Sequence, residues 1–188
     1  MMRSRKAAFS TIIAGSMLMA SVPAFAQRWN DSGVGGSRWS GPYIGAKIGV
    51  NDATFSGVGG KNTYTTGLEA GYLVNLNGPI VGLDGFADFN PKTTHAPGVN
   101  FGSRVYGVDL ILGLDNGPIM PYAKVGYAQT HGTGALSGSG SGFHGGLGVE
   151  YMVDQNVGVD GEWTYDRANL DGGTLKNNNF TLGANVHF

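Results

Sequence analysis

The chain has 188 residues, no cysteine, 34 glycines and only 13% charged residues, with a formal net charge of -1. That length supports one domain after processing, and the lack of cysteine excludes a disulfide framework, a thiolate metal site or a lipid attached through cysteine. No basic patch speaks for nucleic acid. Charge this sparse is low for a soluble domain, yet after the first residues no run of about eighteen apolar residues offers a spanning helix. Alternating strands remain as the organising pattern.

Residues 1–26 have three zones: positive Arg3, Arg5 and Lys6, an apolar run from Ala7 to Ala20, and Ala24-Phe25-Ala26 after Pro23. This predicts a signal peptide cleaved between Ala26 and Gln27, hence export in a Gram-negative cell. Removing it leaves 12 − 3 = 9 basic against 13 acidic residues, a net charge of -4. Residues 27–41 are polar and rich in Gly and Ser. They are expected to be a flexible periplasmic lead-in, with Trp39 at the membrane interface.

From Pro42 to Phe188 the chain alternates with a period of two, the mark of strands with one apolar and one polar face. Ile44, Ala46, Ile48 and Val50 oppose Gly45, Lys47 and Gly49. Tyr64, Leu68, Ala70, Tyr72 and Val74 oppose Gly67, Glu69 and Gly71. Val81, Leu83, Ala87 and Phe89 oppose Gly82, Asp84, Phe86 and Asp88. Tyr106, Val108, Leu110, Leu112 and Leu114 oppose Gly107, Asp109 and Gly113, and Ala123, Val125 and Tyr127 oppose Tyr122, Lys124 and Gly126. Phe143, Leu147, Val149, Tyr151 and Val153 oppose His144, Gly146, Gly148 and Glu150. Val157, Val159, Trp163 and Tyr165 oppose Gly158, Asp160, Glu162 and Thr164. The last strand sets Phe180, Leu182, Ala184, Val186 and Phe188 against Thr181, Gly183, Asn185 and His187.

Long polar connections at 51–62, 90–102, 131–141 and 167–177 alternate with short turns at 75–79, 115–118 and 154–156. Long outside loops and short periplasmic turns are the plan of an outer-membrane barrel, and strands of this length span a bilayer at a tilt. The expected fold is all-β: an eight-stranded antiparallel up-and-down transmembrane β-barrel over residues 42–188, with both termini periplasmic. A soluble barrel or sandwich would turn the same faces the other way. Tyr43, Tyr72, Tyr106, Tyr127, Tyr151, Trp163, Tyr165 and Phe188 are candidates for interfacial girdles, whereas Tyr122 points inward by its parity.

The run Trp39-Ser40-Gly41-Pro42-Tyr43-Ile44-Gly45 resembles the W-[ST]-G-x-Y-[IVL]-G opening of small outer-membrane β-barrel proteins. These include opacity-type surface proteins and outer membrane protein A/X barrels. The last strand is similar to that family's C-terminal signal, which implies that Phe180, Leu182, Ala184, Val186 and Phe188 are read by the barrel assembly machinery. Such barrels serve as adhesins, anchors, pores and enzymes alike. No periplasmic peptidoglycan-binding domain follows, so an anchoring role of that type is not expected.

The polar parity predicts a lumen lined by Lys47, Glu69, Asp84, Asp88, Asp109, Lys124, His144, Glu150, Asp160 and Glu162. Seven carboxylates facing two lysines and one histidine cannot all stay ionised without partners. One reading is a polar core in which lysines bridge carboxylates, because eight strands enclose a space that side chains just fill. The many lumen glycines leave the other open, a narrow cation-preferring pore. His95, His131 and His187 are expected at the surface or rim, and His144 beside a carboxylate rather than a metal. Ser141 and His144 fall on opposite faces, so no catalytic set assembles, and a lipid A-modifying enzyme is the most distant reading. No cofactor is expected. Outer-membrane lipid and lipopolysaccharide, the assembly machinery and a host or matrix ligand for the loops are the expected partners, and the chain is expected to be a monomer with a structural or adhesive surface role.

Overall fold

The computed structural model describes residues 37–188 apart from 56–57, 97–98, 135–137 and 171–172. The predicted signal peptide, its cleavage point at Ala26 and Gln27, and most of the lead-in lie outside the described residues. Eight strands follow in order: β1 Gly41–Phe55, β2 Val58–Asn75, β3 Pro79–Ala96, β4 Val99–Leu114, β5 Ile119–Gly134, β6 Gly138–Met152, β7 Val157–Leu170 and β8 Gly173–His187. Each pairs antiparallel with its sequence neighbours, and β8 pairs with β1, so the barrel closes and no edge is left bare.

The stagger can be read from the pairing. From Tyr43, direct partners run through Gly71, Asp84, Asp109, Gly126, His144, Asp166 and Asn177, and return to β1 at Ala53. One circuit therefore climbs 53 − 43 = 10 residues. In a closed barrel such a shear goes with strongly tilted strands.

The outward parity carries the apolar residues. Ile44, Ile48, Val50, Leu68, Leu83, Val108, Val125, Leu147 and Leu182 are all exposed, the reverse of a water-soluble core. They form a belt for lipid, with Tyr64, Tyr72, Tyr106, Tyr127, Tyr151 and Trp163 exposed on the same face. Above it the outward positions turn polar: Asp52, Lys92, Arg104, Arg167 and Lys176 are exposed.

Two expectations need correcting. The four long connections are not loops. The strands run on through most of 51–62, 90–102, 131–141 and 167–177 as ladder-paired hairpins. Their Gly, Thr and Asn content had suggested loops, but pairing with a neighbour overrides weak strand propensity. At the other end the sequence read true. Asn77 and Gly78 both have positive φ (63° and 128°), as a two-residue primed hairpin turn requires, and the amide of Leu76 donates to the carbonyl of Pro79.

Trp39 is the second correction. It does not sit at the membrane interface. It is fully buried beneath the barrel, its indole N–H donating to the Gly117 carbonyl at 3.0 Å. Around it pack Tyr43, Leu73, Ile80, Ile111, Met120 and Met152 from the inward parity, an apolar floor at the periplasmic end. The segment leading to it is fixed as well. Ser37 Oγ donates to Asp115, and Ser40 Oγ accepts from the Asn75 amide. Gly41 has φ 127°, and a side chain there would collide with the Phe188 carbonyl. The W-S-G-P-Y opening is thus the bottom seal of the barrel.

Candidate functional site

All ten residues predicted for the lumen point inward and are buried. What lets them meet is glycine. Along each ladder row a glycine often separates two large inward side chains, and the gap is bridged by a contact. Tyr43 and Asp84 flank Gly71, and the Tyr43 hydroxyl donates to Asp84 at 2.8 Å. Asp109 and His144 flank Gly126, and Nδ1 of His144 donates to the Asp109 carboxylate at 2.8 Å. Lys47 and Asp88 flank Gly67, with 3.3 Å between ammonium and carboxylate. Tyr122 and Glu162 flank Gly148, and the Tyr122 hydroxyl donates to Glu162 at 3.0 Å. A Cβ at Gly67 would lie 2.7 Å from the Lys47 Cε, and one at Gly71 2.6 Å from the Tyr43 ring. These lumen glycines are therefore closely covered by neighbouring atoms. They make room for neighbours that cross-link the interior.

The two lysines organise the centre. Lys124 reaches Glu162 at 2.6 Å, Asp84 at 3.2 Å and Glu69 at 3.9 Å. Lys47 reaches Asp88 and Glu162 at 3.3 Å each and Glu69 at 3.8 Å. Glu69 and Glu162 are shared, so two ammonium groups and four carboxylates form one connected cluster. Its members are at least nine-tenths buried. In such a setting each charge depends on its partners, since removing one strands the rest. A space lined in part by Tyr43, Glu69, Lys124 and Glu150 amounts to about 10 Å³, roughly what a single water needs.

Around this cluster the other predicted residues each have a local partner, although Nε2 of His144 is buried without one. The His144 ring, fully buried, stacks on Phe86 with centroids 4.2 Å apart. Asn185 donates to Asp160 at 3.4 Å. Glu150 is held by Nε2 of His187 at 2.8 Å. That last contact corrects the expectation of a rim histidine. His187 is buried, stacked on Tyr43 and edge-on to Trp39, because its parity places it inside the floor. Tyr43 is likewise no girdle residue but an inward hydrogen-bond donor. Ser141 points outward to Tyr127, with 2.6 Å between hydroxyls, away from His144. His131 is half-buried and edge-on to Tyr106, consistent with a rim position. The side chain of His95 lies outside what is described. Phe180 and Leu182 are exposed on the outer face, and Ala184, Val186 and Phe188 half-exposed.

Sequence reasoning missed two layers above the charges. Asn51, Thr65, Asn90, Ser103, Thr130, Thr164, Asn177 and Asn179 are buried inward as an amide and hydroxyl layer. Within it Asn177 donates to Asp166 at 2.8 Å and Asn90 to Ser103 at 3.0 Å. Above this, Ala53, Phe101, Ala168 and Leu175 close the extracellular end as an apolar roof. The period-two pattern did continue through these residues. Asn51, Ala53, Asn90, Phe101, Ala168, Leu175 and Asn177 fall in the segments whose composition suggests loops, whereas Thr65, Ser103, Thr130, Thr164 and Asn179 lie within the expected strands.

An outer-membrane protein β-barrel domain matches residues 12–188. No curated protein matches the chain. Among solved structures it is similar to Neisserial surface protein A, at 22% identity over 79% of this chain and 98% of that one, with a TM-score of 0.65. It is also similar to Ail, the attachment invasion locus protein of Yersinia pestis, at 17% identity over 79% and 99%, with a TM-score of 0.58. Ail in complex with the heparin analogue sucrose octasulfate gives 17% identity, the same coverage and 0.52. With a closed eight-stranded barrel, a lipid-facing apolar belt and a matching domain over nearly its whole length, the chain belongs to the outer-membrane protein β-barrel family of Gram-negative bacteria.

Proposed function

We propose that this protein is a closed, non-conducting surface barrel that works through its extracellular hairpins, with adhesion to a host or matrix ligand as its specific role. The observation that carries this reading is the blocked interior: apolar floor, lysine–carboxylate cluster, amide layer and apolar roof succeed one another along the barrel. A barrel so filled spends its polar side chains on holding itself together. Its exposed charged residues above the lipid belt, Asp52, Lys92, Arg104, Arg167 and Lys176, are on the hairpins. The Ail structure with a heparin analogue lends support to a polyanionic ligand for such hairpins. The narrow cation-preferring pore has less support, because the two lysines and their carboxylates stand in the path and a space beside Lys124 amounts to about 10 Å³. Catalysis is not part of the proposal: His144 is engaged by Asp109, and Ser141 lies on the opposite face. The barrel is proposed to act as a monomer in outer-membrane lipid and lipopolysaccharide. The outward residues of β8, Phe180 to Phe188, are proposed as the signal that the assembly machinery reads. The test is to replace the hairpin ends around 52–62, 92–100, 131–139 and 169–176 with short turns and measure binding of cells bearing the protein to immobilised heparin and to host cells. Loss of binding with an intact barrel is expected. Binding that survives all four replacements, or is lost only with lumen substitutions such as Glu69→Gln, contradicts the proposal.

A further inference from the structure

The outer surface of β7 and β8 carries a pair of cations above a hollow. Arg167 and Lys176 are direct cross-strand partners, both exposed on the outward parity. Like charges so placed repel. Among the described residues neither forms an ion pair. Among the described residues the nearest outward carboxylate by register is Asp52, opposite Asn178 one row below. Tyr165 and Asn178 make up that row, and Trp163 opposite Phe180 the next. Below them the belt sinks into a trough of about 590 Å³ between Ile48, Val50, Leu147, Trp163, Phe180 and Leu182, with Gly161 on its floor.

Gly161 differs from the lumen glycines. A Cβ there would meet only Leu182, at 3.8 Å, an ordinary contact. Packing does not require glycine at this position, and the fold leaves the surface hollow all the same. Trp163 lies four residues below Arg167, about 13 Å along the strand and roughly 9 Å in depth at a 45° tilt, comparable with a headgroup layer of about 5–8 Å. The spacing sets a charge site at the headgroup level and an apolar bed where hydrocarbon begins.

We infer that this face of β7 and β8 binds a phosphorylated glycolipid of the outer leaflet, with phosphate between Arg167 and Lys176 and an acyl chain in the trough over Gly161. The phosphate relieves the repulsion within the cation pair, and the chain fills a surface that bulk lipid would cover loosely. This rests on the lipid contacts of the proposed function and goes further in giving them a selective site. Asp52 sets a limit on the headgroup's negative charge on its β1 side.

The test is native mass spectrometry of the folded barrel in detergent, titrated with bisphosphorylated lipid A, dephosphorylated lipid A and phosphatidylethanolamine. Wild type is expected to prefer the phosphorylated form. Arg167→Gln with Lys176→Gln lowers its affinity about thirtyfold, taking the surface contribution of two cations together. Gly161→Leu, whose Cβ would meet only Leu182 at 3.8 Å, weakens both forms of lipid A by occupying the trough. Arg104→Gln, a cation on another part of the rim, leaves all affinities unchanged. Equal affinity of wild type and the double variant, or equal retention of lipid A and phosphatidylethanolamine, overturns the inference while leaving general lipid contact intact. An equal loss with Arg104→Gln also overturns it, because charge anywhere on the rim would then suffice. A wild-type barrel that retains no lipid contradicts both readings.

Discussion

Replacing Lys124 by Met tests the lumen cluster at its most connected point. The ammonium lies within 4 Å of three carboxylates, at 2.6, 3.2 and 3.9 Å, in a setting about 2% exposed. Met keeps most of the volume, so the loss is electrostatic rather than steric. One lysine is then left to neutralise Glu69, Asp84, Asp88 and Glu162. Breaking a buried pair by removing one partner costs about 3–5 kcal/mol. With an m-value near 2 kcal/mol/M, the urea midpoint of the barrel in lipid vesicles falls by about 2 M. The assay is tryptophan fluorescence against urea, checked by the shift between folded and heated bands on gels. Glu162→Gln in the same background removes one stranded charge and restores part of the loss, with a coupling of about 1–3 kcal/mol in the double-mutant cycle. A loss below about 1 kcal/mol for Lys124→Met, or strict additivity with Glu162→Gln, refutes the reasoning, because the cluster would then contribute nothing as a unit.

The glycines divide into two classes. Gly126→Ala places a Cβ against the Val108 carbonyl and 2.7 Å from the Asp109 Cα, which costs about 1–3 kcal/mol by urea unfolding, while Gly161→Ala changes stability by less than about 0.5 kcal/mol. Trp39→Ala removes the centre of the floor and one indole hydrogen bond, lowering stability by about 3–5 kcal/mol in the same assay. Removing Phe188 is expected to leave export intact but lower the yield of folded protein in the outer membrane. Unchanged heat-modifiable protein in that membrane would count against β8 as the assembly signal.

The barrel was legible because each strand has an apolar outward parity, and a period of two survives errors in strand ends. The predicted lumen residues followed from the same alternation. What escaped were the strand ends. Asn51, Asn90 and Asn177 look like loop residues by composition, and only their ladder partners reveal them as interior. Leu73, Ile80, Ile111 and Met120 broke the apolar-out rule and were passed over, although an inward apolar residue at the end of successive strands is the signature of a plug. Tyr43 and His187 were misplaced because a tyrosine or histidine near a strand end suits a girdle as well as an interior, and parity was given less weight than residue type. The role of glycine needed register. Sequence shows that Gly71 and Gly126 face inward, but not that Tyr43 meets Asp84 and His144 meets Asp109 across them.

The central claim is that the barrel is closed and that its work lies outside. Single-channel recording in planar bilayers tests it most directly, using the purified folded protein in symmetric potassium chloride. The account predicts no conductance steps above background for wild type, and steps at most after Trp39→Ala is combined with Lys124→Ala, which together remove bulk from floor and centre. Discrete cation-selective steps from the wild-type barrel would contradict it.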